Sequence, residues 1–237
     1  MIDGPFLSGT LEMPQSLADA AFQAEFVWNG VLFNRILAIA CVILGMIVIS
    51  DTVQIFPRLV DCIFRWRACL SMEHSLGDAR ARNSAASVSI LALGLVTSRY
   101  CLYGPSFLFM IPEWSMTLIC IGVVISYFLL RLVLFLLLNM TSLRGDERKA
   151  VIHSSATFCI PTTVMMLFTM ALLDACGAPD GSTRVALIAE LGLGWLISLI
   201  RTGQIIGSHY SGFTTFLYLC ALEILPAAAV VASALVL

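Results

Sequence analysis

The chain is 237 residues long, 59% apolar and only 12% charged, with a formal net charge of −2. A soluble domain of this size cannot cover itself with so few charges, which make up about a quarter of ordinary globular sequences. The near-neutral balance, with thirteen basic residues scattered mostly through short connecting segments, also excludes nucleic acid as a partner bound by phosphate neutralisation. These figures describe one membrane domain over residues 1–237. It is expected to be all-α, a polytopic transmembrane helical bundle, because backbone groups in hydrocarbon must be paired within the segment. The alternating strands of about ten residues that would build a barrel are not seen.

Residues 1–28 contain no Lys or Arg and carry Asp3, Glu12, Asp19 and Glu25. They lack the basic start of a signal peptide and are expected to persist as a polar, non-cytoplasmic N-terminal segment. A hydrocarbon core of about 30 Å needs roughly 20 helical residues. Runs of about that length lie near 31–50, 85–103, 115–138, 154–173, 185–200 and 214–236, so about six spans are expected. The fifth is short and interrupted by Glu190, and the sixth contains Glu223 and Pro226. The connection after the first run holds Arg58, Arg65, Arg67, Arg80 and Arg82, and the one after the third holds Arg144, Arg148 and Lys149. The alternate connections are nearly bare of basic residues. Because cytoplasmic loops are enriched in Lys and Arg, both termini are expected outside the cytoplasm.

The first cytoplasmic connection is amphipathic. Ile55, Phe56, Leu59, Val60, Ile63, Phe64 and Trp66 interleave with Arg58, Asp61, Arg65 and Arg67 at near-helical spacing. Two arrangements fit: a helix lying on the inner interface with its arginines toward lipid headgroups, or a cytoplasmic extension of a bundle helix. Arg65, Trp66 and Arg67 here, with Arg144, Asp146 and Arg148 in the next cytoplasmic connection, are the candidates for docking a partner protein. The apolar loop around residues 104–112 is expected to dip into the outer interface with Trp114 as its anchor.

A charge inside the bilayer costs at least about 2.5 to 3.5 kcal/mol, so it faces protein, water or another charge. Arg131, Glu190 and Glu223 are the deep candidates. At about 1.5 Å per residue, Arg131 lies about 10 Å and Glu223 about 15 Å from the inner ends of their helices, depths that allow an ion pair between the third and sixth spans. Arg35 and Arg99 fall near the outer ends of the first two spans, level with Glu190 and Glu113, and allow a second, outer cluster. Such pairs either fix helix packing or hold a ligand. Pro226 cannot donate to the Leu222 carbonyl, so a kink is expected beside Glu223, where a proton, cation or polar ligand could bind.

Catalytic and cofactor signatures are missing. His74, His153 and His209 fall in predicted connections with no ligand spacing, so neither a metal nor the paired axial histidines of a membrane haem is expected. The eight cysteines form no C-x-x-C pair, and Cys41, Cys101, Cys120, Cys159 and Cys220 sit in apolar runs as small hydrophobes. Ser208 and His209 are chain neighbours in a short loop without a G-x-S-x-G elbow, and H-E-x-x-H is absent. The chain is therefore expected to be neither an enzyme nor a cofactor carrier.

Residues 213–226 read F-T-T-F-L-Y-L-C-A-L-E-I-L-P. This resembles the closing F-L-Y-L-C-x-L-E-I-x-P helix of an uncharacterised multi-pass membrane protein family of Bacteroidota, with Tyr218, Cys220, Glu223 and Pro226 on matching positions. Arg201-Thr202-Gly203 and Asn34-Arg35 are similar to shorter stretches of that family. The resemblance implies a multi-pass protein of the inner membrane of a Gram-negative envelope. Together these readings point to a non-enzymatic membrane subunit or scaffold of an envelope complex, with the lipid bilayer and a membrane or envelope protein as partners. The alternative is a small transporter or proton- or ion-coupled protein using Glu223 and Arg131.

Overall fold

The computed structural model describes residues 28, 30–104, 112–138, 143 and 145–236. The N-terminal segment apart from Trp28 and Gly30, the loop before the third expected span, and Arg144 lie outside the described residues, as does the Trp66 side chain. The described residues are almost all helical: α1 (Leu32–Phe64), α2 (Trp66–His74), α3 (Leu76–Arg99), α4 (Glu113–Leu138), α5 (Gly145–Ala175) and α6 (Asp180–Gly207). A last rod follows, made of α7 (Gly212–Leu219), a π-helical turn (Cys220–Ile224) and α8 (Leu225–Val236). Among the described residues, five helical segments are long and apolar enough to cross a membrane: α1, Trp114–Leu138 of α4, α5, α6 and Gly212–Ala234 of the last rod.

The second expected span, 85–103, falls mainly in α3, and α3 is not among those five. Its buried face carries Ala81, Ala85, Ala86, Ser89, Ala92, Gly94, Thr97 and Ser98. It packs against α1, α4 and α5, so it has little surface to offer lipid and no need of large apolar side chains. Small residues let neighbouring backbones approach. A Cβ at Gly94 would lie 2.7 Å from Ile121 Cγ1 and 3.0 Å from Ile121 Cα, and a Cβ at Gly194 on α6 would collide with Thr162 on α5. The outward faces are the apolar ones: Ile36, Ile39, Val42, Ile43, Met46 and Ile47 on α1 are exposed.

Residues 55–64 take the second of the two arrangements open to them. The α1 helix runs through Pro57 to Phe64 as 33 residues, or about 50 Å, against about 30 Å of hydrocarbon. Extended backbone at Arg65 then turns the chain, with the Arg65 N–H donating to the Asp61 carbonyl at 2.7 Å. The α2 helix folds back, and Ser75 caps α3 by accepting from the Asp78 N–H at 3.4 Å. Ile55, Leu59 and Cys62 of α1 are buried with Cys69 and Met72 of α2, Ala81 and Ala85 of α3, and Phe158 and Ile160 of α5. This is an apolar core in its own right, at the end of the bundle that carries most of the arginines. The same end holds the buried Glu73–Arg82 ion pair, the Arg58–Asp78 pair, and a bond from Arg201 of α6 to the Ile63 carbonyl. At the opposite end α5 terminates with Gly177 at φ 66°, where the Ala178 N–H reaches the Leu173 carbonyl at 3.0 Å, a left-handed close that glycine permits without strain.

The α3–α4 crossing makes a measurable demand. Gly94→Ala overpacks it and is expected to cost about 1 to 3 kcal/mol, whereas Gly122→Ala, with open space around it, should stay within about 0.5 kcal/mol of the parent. Thermal midpoints in one detergent compare the two, and equal midpoints would mean that the crossing tolerates a methyl group.

Candidate functional site

The site is built around Glu223. Pro226 has no N–H, and the helix accommodates this by widening: the Leu225 N–H donates to the Cys220 carbonyl, five residues back, and Cys220–Ile224 form a π-turn. The widened turn carries Glu223 inward, where its side chain is 0% exposed. From α4, Arg131 meets it with Nε at 3.0 Å and Nη2 at 2.6 Å from Glu223 Oε1. The other donors of Arg131 are spent on α5: Nη1 on the Ile152 carbonyl at 2.8 Å, Nη2 on the Val151 carbonyl at 3.0 Å and Ser154 Oγ at 2.7 Å. From α6, Thr202 completes the cluster, 2.9 Å from Ser154 Oγ and 3.3 Å from Glu223 Oε1. Four helical segments thus converge on one carboxylate oxygen. Phe135, Val151, Ile205, Ile206 and Leu222 form an apolar cluster on the same segments, an environment of low dielectric in which the pair is strong and its separate members are costly.

Glu223 Oε2 is different. It is buried and no donor reaches it. It is the oxygen of this carboxylate that the clamp leaves unused.

The same face of α6 continues toward the opposite end. Thr183, Glu190, Ser198 and Thr202 lie on one side of the helix, toward α5, where Thr169 donates to Glu190 Oε1 and Gly194 abuts Thr162. Thr183 Oγ1, Glu190 Oε2 and Ser198 Oγ are buried and without a bonding partner. The α5–α6 contact is therefore a polar seam running from Glu190 to Thr202, 12 residues or about 18 Å of helix.

The structure brings Arg131 and Glu223 together; of the outer residues, the Glu113 side chain lies outside those described. Arg99 pairs with Asp174 at 3.7 Å and lies 5.4 Å over the Tyr100 ring, whose hydroxyl also donates to Asp174 at 3.4 Å. The α5 helix packs against both α3 and α6, and its end supplies Asp174 as a counter-charge to Arg99. Arg35 is exposed on α1. Its neighbour Asn34 is fully buried, accepting from Thr117 Oγ1 at 2.8 Å, in a chain that continues to Ser98 Oγ at 2.8 Å and Trp28 Nε1 at 3.1 Å. Of the docking candidates, Arg65 and Arg67 are exposed, while Asp146 and Arg148 are half-buried and Arg148 lies 5.6 Å over the Phe135 ring. Asp174, Ser154 and Thr202 carry real contacts that sequence patterning did not single out. Hydroxyls and a helix-end carboxylate are too common to stand out without the partner they face.

Removing one member of the buried pair strands the other. Arg131→Ala or Glu223→Ala should each cost about 3 to 5 kcal/mol, while the double change Arg131→Met with Glu223→Leu should be milder than either. Denaturation in detergent tests this, and a double variant as unstable as the sum of the singles would show that the two residues do not interact.

The chain matches no curated protein and no solved structure at a significant level. A family model described as a domain of unknown function (DUF4271) matches residues 71–233, from the end of α2 to the end of the last rod. That span is well over half of the chain and contains Arg131, Ser154, Glu190, Thr202 and Glu223, whereas α1 lies outside it. The chain belongs to the DUF4271 family.

Proposed function

We propose that this protein is a non-enzymatic integral-membrane subunit or scaffold of an envelope complex, multi-pass in the inner membrane of a Gram-negative bacterium of the Bacteroidota. In this reading α3 is the sixth span, enclosed by the others, and the arginine-rich end faces the cytoplasm. The lipid bilayer and at least one membrane or envelope protein are its partners, and nucleic acid is not.

The observation that carries the reading is the knob at the arginine-rich end. The α1 extension, α2 and the start of α3 are welded by their own apolar core and by the Glu73–Arg82 pair. Beyond any span, this knob displays Phe64 at 74% and Leu76 at 89% exposure beside the exposed Arg65, Arg67 and Arg80. Large apolar side chains set among arginines are what a protein interface uses, with the arginines supplying specificity and the apolar groups the burial. The clamp on Arg131 agrees with a structural part: each of its three guanidinium nitrogens is occupied by the protein itself.

Purification of the tagged protein from its own membranes in mild detergent should bring a stoichiometric partner. Phe64→Ala with Leu76→Ala should release that partner while leaving insertion and thermal midpoint unchanged. A protein that purifies alone and homogeneous would overturn the subunit reading.

One observation favours the second reading, a proton- or ion-coupled protein: Glu223 Oε2 and Glu190 Oε2 are both unpartnered along the α5–α6 seam. Glu223→Gln keeps an acceptor for Arg131 but removes the ionisable group. In liposomes loaded with a pH-sensitive dye, proton flux that is present in the parent and lost in a folded Glu223→Gln variant would establish that function. Equal flux in both would remove it.

A further inference from the structure

The arginine-rich knob also gathers three sulfur atoms. Cys62 lies in the penultimate turn-end of α1, fully buried, and Cys69 and Met72, three residues apart on one face of α2, are buried with it. Cys62 Sγ is 3.4 Å from Met72 Sδ, and Cys69 Sγ is 3.9 Å from the Cys62 carbonyl. The turn at Arg65 brings them together by folding α2 back onto α1.

We propose that Cys62, Cys69 and Met72 form a three-coordinate soft-metal site that takes Cu(I). Two thiolates and a thioether are the ligand softness that selects Cu(I) and rejects Mg²⁺ or Ca²⁺. Zn²⁺ in a structural site takes four ligands from Cys, His and carboxylates, and a thioether is not among them. Geometry agrees: a metal–sulfur bond of about 2.3 Å sets sulfur atoms about 4 Å apart around a trigonal ion. The Cys62–Met72 contact therefore has to open by only about half an ångström.

Loading releases both thiol protons, leaving one negative charge on the complex of Cu⁺ with two thiolates. No electron is transferred, because copper enters and stays as Cu(I). This site is independent of whether the knob also docks a protein.

The test uses the full chain in detergent micelles, reduced and anaerobic, titrated with Cu(I) held by the colorimetric chelator bicinchoninate. One Cu(I) per chain is expected to leave the chelator, and Cys69→Ser and Met72→Leu should each weaken its uptake by at least about tenfold. Met72→Leu conserves volume, so an unchanged thermal midpoint separates lost ligation from lost fold. Cys176→Ser, at an exposed thiol far from the knob, should leave the titration unchanged. X-ray absorption at the copper edge should show sulfur neighbours alone. The proposal is overturned if the parent leaves Cu(I) with the chelator, or if Cys69→Ser withdraws it as tightly as the parent.

Discussion

An arginine in the middle of an apolar bundle must bring its counter-charge and its hydrogen-bond acceptors with it, because neither lipid nor hydrocarbon side chains supply them. Arg131 obtains these from α5 and from the last rod. Much of the packing follows from that demand. The Val151 and Ile152 carbonyls and Ser154 must face α4, which fixes the rotation of α5. Thr202 must face Ser154, which fixes the register of α6 against α5. Glu223 must reach inward from the last rod, and the π-turn before Pro226 gives it that direction. One guanidinium thereby sets the relative rotation of four helical segments that apolar packing alone, with lipid as good a neighbour as leucine, specifies weakly.

The same logic inverts the usual distribution of residues. The α3 helix is buried and therefore small and hydroxylated, with Ser89, Thr97 and Ser98 inside. The α1 helix lies at the edge, and the most apolar stretch of it has no fully buried residue, though Leu37, Cys41 and Val48 are half-buried. Its fully buried residues lie toward its two ends. At one end Asn34 is bonded within the Trp28–Ser98–Thr117 chain, and at the other Ile55, Leu59 and Cys62 are locked into the knob.

Sequence and structure agree where a single physical quantity decides, and part where rotation decides. Depth is readable from helix length, so the third and sixth expected spans could be matched through Arg131 and Glu223. Azimuth is not, and the outer residues show it: Arg99 and Glu190 share a level, yet Arg99 faces the end of α5 and meets Asp174. Hydropathy points to the five apolar helices, whereas α3, counted as a span from its run 85–103, is the less apolar and more buried one. Periodicity over residues 55–67 implies one helix with an apolar face, whereas the structure has two helices broken at Arg65, and the same stripe serves a membrane surface and a protein core equally well. Only the break at Arg65, which carries no Gly or Pro signal, turns α2 back and makes it a core. Pro226 announced a disturbed helix, while the widening to a π-turn depends on the tertiary demand of Arg131 and has no local signature.

The two oxygens of Glu223 carry the distinction between a structural and a transporting protein. Oε1 accepts from Arg131 twice and from Thr202, so it holds the bundle together. Oε2 contributes nothing to that clamp. If evolutionary pressure at this position were for assembly alone, an amide would serve the arginine through its carbonyl oxygen and still give the free side a donor to satisfy. A carboxylate there adds a full charge, which strengthens the bond to Arg131 roughly twofold over a neutral acceptor at the cost of an oxygen left bare. The clamp reading therefore needs the bundle to require that extra strength, and the coupled reading needs the bare oxygen to be reached from the α5–α6 seam. The two demands fall on different atoms of one side chain but on one shared charge, so a proton taken up at Oε2 would also weaken the bond that Oε1 makes to Arg131, and in the coupled reading uptake loosens the clamp.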